Sequence, residues 1–322
     1  MEQQPREWQL LEKIALESFR EQKRARRWGI FFRVLTFAYI AIAILLFMQD
    51  GENFTPDTMT KASGHTALVR LHGPIMDGEL ANADDVAAGL RAAFKNDHAK
   101  AVIIAINSPG GSPVHAGYIY DEIVRLRGEY PEKKVYAVIS EMGASAAYYI
   151  ASAADEIYAD KASLVGSIGV ISSGFGFVDA MKKLGIERRV ITAGTNKAFL
   201  DPFQPEKQDE KLFWEQSLSV IHAQFIEQVR KGRGDRLKED EKIFSGLIWS
   251  GQDALEKGLI DGLGSAGFVA REVIGYEEIV DYSVKPNPMD DFLNQLGMSV
   301  GEGIGRQLSA SAPWQGGYPQ LQ

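Results

Sequence analysis

Residues 99–130 read AKAVIIAINSPGGSPVHAGYIYDEIVRLRGEY, and three patterns succeed one another within them. AKAVIIAI, residues 99–106, is a short run of small and branched apolar residues interrupted only by Lys100, the pattern of a strand covered on both faces. NSPGGS cannot extend that strand: Pro109 has no N–H to give, and Gly110 and Gly111 admit backbone conformations that other residues avoid. Ser112 stands as an N-cap, and beyond it Ile119, Ile123 and Leu126 fall on one face of a helix. A buried strand that turns sharply into an amphipathic helix is the repeating unit of a parallel α/β sheet.

The same alternation extends outward in both directions. Upstream, TALVRLHG (66–73) reads as a strand and NADDVAAGLRAAFKN (82–96) as a helix opened by acidic residues. Downstream come a strand in KKVYAVIS (133–140), a helix within ASAAYYIASAA (144–154), and short apolar strands in EIYAD, VGSIGVIS and ERRVIT. A long helix follows in EKLFWEQSLSVIHAQFIEQVRKGR (210–233), where Phe213, Leu218, Ile221, Phe225 and Val229 recur every three to five residues. The class is α/β. Residues 287–322 are rich in Gly, Ser, Pro and Gln and read as a tail.

Composition narrows the functional classes. At 322 residues and 45% hydrophobic content, the chain is long enough for one large core or two ordinary ones. A formal net charge of −8 argues against a general nucleic-acid binder. The absence of cysteine excludes disulfides, thiolate metal sites and a cysteine nucleophile.

Trp28 to Met48 is apolar apart from Arg33 and Thr36, and as a helix would span roughly 31 Å, enough to cross a bilayer. Arg20, Lys23, Arg24, Arg26 and Arg27 precede it and QDGENF follows, so the positive-inside rule keeps the N-terminus cytoplasmic and exports everything after Asp50. No small-residue cleavage site follows, which reads as an uncleaved anchor. The expected organisation is a basic, amphipathic cytoplasmic segment over 1–27, a transmembrane signal anchor over 28–48 and a linker over 49–64. A catalytic body over 65–285 and a C-terminal tail over 286–322 complete it.

Three groups of residues could carry chemistry. The amides of Gly110 and Gly111, at a helix start, suit an anion; the turn lacks the Gly-Lys-Ser/Thr ending of a nucleotide loop. That leaves a plain tight turn, or an oxyanion hole for a carbonyl oxygen becoming tetrahedral. Ser145, in GASAA after a strand and before a helix, resembles a nucleophile elbow whose last glycine is alanine; ordinary helix packing accounts for the same residues. Ser108, Ser112, Ser140 and Ser152 are rival serines. A base could be His115 with Asp121 or Glu122, as in a triad. It could instead be a lysine, whose amine must be neutral to accept a proton and so needs a dry surrounding. Lys197, among Ala198, Phe199, Leu200 and Phe203, has a more apolar neighbourhood than Lys182, Lys183, Lys207 or Lys211.

Taken in order, NSPGG (107–111), MGASAAYY (142–149), LVGSIGV (164–170), TAGTNKAFLDPF (192–203) and SGQDALEKGLIDGLG (250–264) resemble the short bacterial form of the signal peptide peptidase A family. These are membrane-anchored Ser-Lys proteases with a Clp protease/crotonase-like fold, and the resemblance covers about His65 to Val280 together with the anchor. It implies Ser145 as nucleophile, Lys197 as general base, Ser167 as the serine that orients the lysine, and Gly110 and Gly111 as the oxyanion loop. It further implies a homo-oligomeric ring whose serine and lysine come from neighbouring protomers, with no metal, cofactor or nucleic acid. The implied substrates are remnant signal peptides and other hydrophobic or misfolded segments on the extracytoplasmic, periplasmic face of a bacterial inner membrane. Two other readings share the fold: a crotonase-like acyl-CoA enzyme, and a catalytically silent membrane scaffold that binds hydrophobic segments.

Overall fold

The computed structural model describes residues 16, 22–24, 26–40, 42, 64–238 and 242–285. The chain divides into two units, Met1–Ala62 and Ser63–Gln322. In the first, residues 26–40 are helical and exposed throughout. Trp28 meets Phe31 edge-on and stacks on Phe32, with ring centroids 5.8 and 5.7 Å apart. Among the described residues no helix is long and apolar enough to cross a membrane. Residues 41 and 43–48 of the expected anchor lie outside them, as do most of 1–27, the linker up to Ser63 and the tail from 286.

The second unit runs β1 (His65–His72), α1 (Ala83–Lys95), β2 (Ala99–Ser108), α2 (Pro113–Glu129), β3 (Lys134–Ala144), α3 (Ala146–Ala151), β4 (Glu156–Ala159) and β5 (Leu164–Gly166). Then come α4 (Val178–Leu184), α5 (Gln208–Arg233), β6 (Ile248–Ser250), α6 (Gly251–Glu256), β7 (Gly262–Leu263) and, after helical turns over 266–274, β8 (Ile279–Asp281). The strands form a mixed sheet in the order β6-β5-β3-β2-β1-β8, with β4 beside β3 and β7 beside β4. Every pairing is parallel except that of β5 with β6.

Strand β2 shows why this sheet is covered on both faces. Side chains alternate along a strand, so Val102, Ile104 and Ile106 point to one side and Ala101 and Ile103 to the other. The first set packs with Leu90 and Phe94 of α1 and Ile119 and Ile123 of α2. The second packs with Leu68, Tyr136 and Val138, and with Val269 and Ala270 from the turns before β8. Burying each large apolar side chain contributes about 1.5–3 kcal/mol. Both helices start where the sequence predicts. Asn82 Oδ1 accepts the Asp85 N–H at 2.9 Å to cap α1, and Ser112 caps α2 with Pro113 following.

Two expected strands differ. VGSIGVIS (165–172) pairs only at Val165 and Gly166, the end of β5, because Ser167 takes φ +52° and leaves the ladder. ERRVIT (187–192) forms no strand: the edge beyond β5 is occupied by antiparallel β6, and Ile191 is 99% exposed.

Candidate active site

The parallel strands β1, β2, β3 and β5 end on the same side of the sheet, where α/β folds present their chemistry. Ser145 directly follows β3 and opens α3. Its backbone stands at φ +54°, ψ −125°, a strained conformation for a residue with a side chain. Its N–H donates to the Gly166 carbonyl at 2.8 Å, and β3 and β5 are paired at Ala144 and Gly166. Ser145 and Ser167 therefore leave neighbouring strands at the same level, both with positive φ. Ser167 donates its own N–H to Leu247 at 2.8 Å. The Ser145 hydroxyl has no hydrogen-bond partner among the described residues.

The Pro-Gly-Gly turn lies directly against this serine. A Cβ on Gly110, which has φ +101°, would come within 2.7 Å of Ser145 Cβ, 2.8 Å of the Ala144 oxygen and 2.9 Å of the Ala146 nitrogen. The turn is fixed by a short bridge to the segment after β1: Ile75 N–H donates to Gly110 O at 3.0 Å and Ser112 N–H to Ile75 O at 2.7 Å. Gly110's N–H is directed inward, to the buried Ser108 Oγ at 3.1 Å. Of the two amides singled out in the sequence, only that of Gly111 has no acceptor among the described residues. The Ala146 N–H, at the start of α3, is likewise without one. Gly111, Ser145 and Ala146 line one cleft of about 160 Å³, whose apolar wall includes Ala116, Tyr149, Ile221 and Phe225.

The rival serines have structural partners. Ser140 Oγ donates to Ile106 O, buried Ser152 Oγ donates to Tyr149 O, and Ser112 Oγ accepts the His115 N–H. His115 is committed elsewhere as well: its Nδ1 accepts the Ala83 N–H at 3.0 Å, capping α1. Glu122 is held by Arg91 and Arg125, whose hydrogen bonds keep its carboxyl below the usual carboxylate range. The triad reading of His115 therefore loses its geometry.

Lys197 is not among the residues that line the cleft beside Ser145. It is exposed and sits in a turn closed by its own N–H to Gly194 O at 3.2 Å. The amide of Ala146 is the feature that sequence reading passed over. The signal was present, since in a nucleophile elbow the residue after the nucleophile supplies an oxyanion donor.

Residues 129–273 match the model of peptidase family S49, and residues 57–165 match that of Clp protease. The Methanocaldococcus jannaschii protein named "Putative protease MJ0651" is 33% identical over 221 residues, covering 66% of this chain and 70% of that one. The chain belongs to peptidase family S49. The chain is also similar to an Enterococcus faecium protein named "Putative signal peptide peptidase SppA", 28% identical over 227 residues, or 66% of this chain and 65% of that one. A Brucella melitensis protein named "Na(+)/H(+) antiporter NhaA" is 46% identical over 213 residues, covering 65% of this chain; the chain spans only 29% of that relative's length. The mixed α/β body with its Clp protease-like region is thus one found in peptidase family S49.

Proposed function

We propose that this chain is a membrane-anchored serine endopeptidase in which Ser145 is the nucleophile and Lys197 the general base. The observation that carries the reading is the strained Ser145 with its hydroxyl unengaged, in a cleft also lined by Gly111 and Ala146, whose amides have no acceptor among the described residues. In its unprotonated form Lys197 Nζ takes the Ser145 Oγ proton as Oγ bonds to the scissile carbonyl carbon. The oxygen that becomes negative is met by the Gly111 and Ala146 amides, with Gly110 lacking a side chain so that the turn can lie against the serine. Collapse of the tetrahedral intermediate breaks the C–N bond, and the lysine proton passes to the departing amine. Water, deprotonated by the same lysine, then hydrolyses the acyl-serine. Ser167, level with Ser145 on the adjacent strand, orients the lysine.

The lysine comes from a neighbouring protomer in a homo-oligomeric ring. Supporting this, Lys197 lies in a stretch that leaves a broad apolar surface uncovered in one chain, with Ile171 86%, Phe175 81%, Leu184 73% and Ile191 99% exposed. The substrates are remnant signal peptides and other hydrophobic or misfolded segments, in keeping with the apolar cleft wall. Residues 28–48 anchor the protein with the body on the extracytoplasmic side, a reading supported by the apolar run and its basic flank.

The test is hydrolysis of a synthetic signal peptide by the full chain in detergent, with intact-mass detection of a fluorophosphonate adduct. The parent is expected to cleave and to carry one adduct on Ser145, and Ser145→Ala and Lys197→Ala to do neither. A folded, assembled parent that cleaves no hydrophobic peptide would overturn the assignment in favour of a binding scaffold.

A further inference from the structure

Glu210 occupies the first turn of α5, directly after the segment that carries Lys197, and is only 7% exposed. An acidic side chain at a helix N-terminus is ordinary, but such residues usually face water. This carboxylate is covered and has two partners: Oε2 accepts the Leu200 N–H at 2.9 Å, and Oε1 accepts a hydrogen bond from Lys207 Nζ at 2.7 Å. Together these hold its carboxyl below the usual carboxylate range, Lys207 more than the amide, so it is an anion at neutral pH.

Its amide partner is unusual too. Leu200 has φ +49°, and the other non-glycine residues with positive φ among the described residues are Ser145 and Ser167, both at the candidate site. A leucine stays in that conformation only where its surroundings over-determine it. Next to it, Phe199 lies edge-on to Phe213 and Trp214 of α5, with ring centroids 5.8 and 5.9 Å away. Upstream of Phe199, the backbone bonds of the lysine turn are local, Lys197 N–H to Gly194 O and Phe199 N–H to Asn196 O, both 3.2 Å. The lysine turn is therefore tied to α5 by one aromatic wedge and one buried carboxylate.

We propose that Glu210 is a positioning residue for the hydrolysis: by gripping the Leu200 amide it fixes the direction in which the turn offers Lys197 to the serine. The inference rests on Lys197 being the base. An ionised carboxylate suits the task because its hydrogen bond to an amide is stronger and shorter than a neutral one, so the turn is held without closing over the lysine.

The experiment measures peptide hydrolysis and the rate of Ser145 modification by a fluorophosphonate, using the full chain in detergent for the parent, Glu210→Ala, Glu210→Gln and Lys197→Ala. Glu210→Ala is expected to lower kcat about tenfold or more with KM within about twofold, and to slow Ser145 modification in proportion. Glu210→Gln keeps an oxygen for the Leu200 amide and is expected to recover to within about threefold of the parent. A KM effect with kcat intact, full activity in Glu210→Ala, or equal loss in both Glu210 variants overturns the proposal. If Glu210→Ala does not fold, the glutamine variant decides alone, and a loss of about thirtyfold or more in it is an overturning result. Hydrolysis surviving in Lys197→Ala removes the base assignment itself, whereas an inert Lys197→Ala beside an unimpaired Glu210→Ala removes only the role of Glu210.

Discussion

A single methyl group is the smallest probe of the candidate site around Ser145. Placed on Gly110 it would press on Ser145 Cβ, the Ala144 oxygen and the Ala146 nitrogen at once, and none of these is the movable end of a long side chain. Gly110→Ala is accordingly expected to cut Ser145 modification by about 100-fold while leaving the far-UV circular dichroism unchanged, since a displacement of even an ångström forfeits alignment. A variant labelled at the parental rate would show that the turn does not need its close approach. The glycine pair and Ser145 were singled out in the sequence, although a plain tight turn and ordinary helix packing account for the same residues there. Which amide does what was not legible. Gly110's N–H turns inward because the buried Ser108 hydroxyl, two residues earlier, accepts it, where the β2–β3 pairing shifts between Ile106 and Ser108. No spacing rule encodes such a shift.

The helix α5 links the parts of the body that form the cleft. Its 26 residues span about 39 Å. Its N-terminal turn holds the lysine segment through Glu210, its middle supplies Ile221 and Phe225 to the cleft, and its end is locked in place. His222 Nε2 lies 3.1 Å from Ile168 O, so the same helix also meets the stretch after Ser167. The lock is tight: a Cβ on Gly232 would fall 1.9 Å from the Ser152 carbonyl oxygen, and Arg233, 1% exposed, meets both oxygens of Asp261 at 2.7 and 2.9 Å. Burial, the largest single influence, would raise the Asp261 carboxyl, but Arg233, the Ile157 N–H and Arg236 together outweigh it and leave the group below its ordinary range. Arg233→Met is therefore expected to cost up to about 3 kcal/mol, because the carboxylate stays behind with only Arg236 and the Ile157 N–H to hold it. Urea unfolding measures this, and a loss under about 1 kcal/mol would mean that the pair is dispensable. The apolar periodicity of α5 was readable in advance, and Phe225 and Val229 are buried as it requires. Phe213, a member of the same stripe, is instead 62% exposed, since periodicity names a face and not its partner.

At the scale of the whole body, the alternation of patterns predicted a parallel sheet because β1, β2 and β3 are long enough to display it. Strands β6, β7 and β8 are only two or three residues long and carry no period, so the sheet's outer members escaped the sequence. One of them closes the body: β8 pairs with β1 from Thr66 opposite Ile279 to Leu68 opposite Asp281. His65, 1% exposed, sets Nε2 2.9 Å from the Tyr282 hydroxyl while its Nδ1 has no partner. Burial holds this imidazole below its ordinary value of 6.5, with Glu278 pulling the other way. A histidine with a depressed folded value binds its proton more readily when unfolded. Its contribution to stability is thus complete above about pH 6.5 and is lost as pH falls from there through the folded value. Unfolding midpoints in urea should fall between pH 7.5 and pH 5.5, and His65→Gln should flatten part of that slope. His72, also held low by burial, retains another part. Identical slopes in parent and variant would refute the assignment.

The closeness of β1 to β8 has a consequence for how this body travels between proteins. The chain enters at His65 and leaves at Tyr282 through one corner, with a single side-chain pair between. A body whose doorway and exit adjoin is a cassette: other polypeptide can be joined on both sides without drawing a strand out of register. A stretch of just over 200 residues of this chain can accordingly recur as 70% of one relative and as 29% of another.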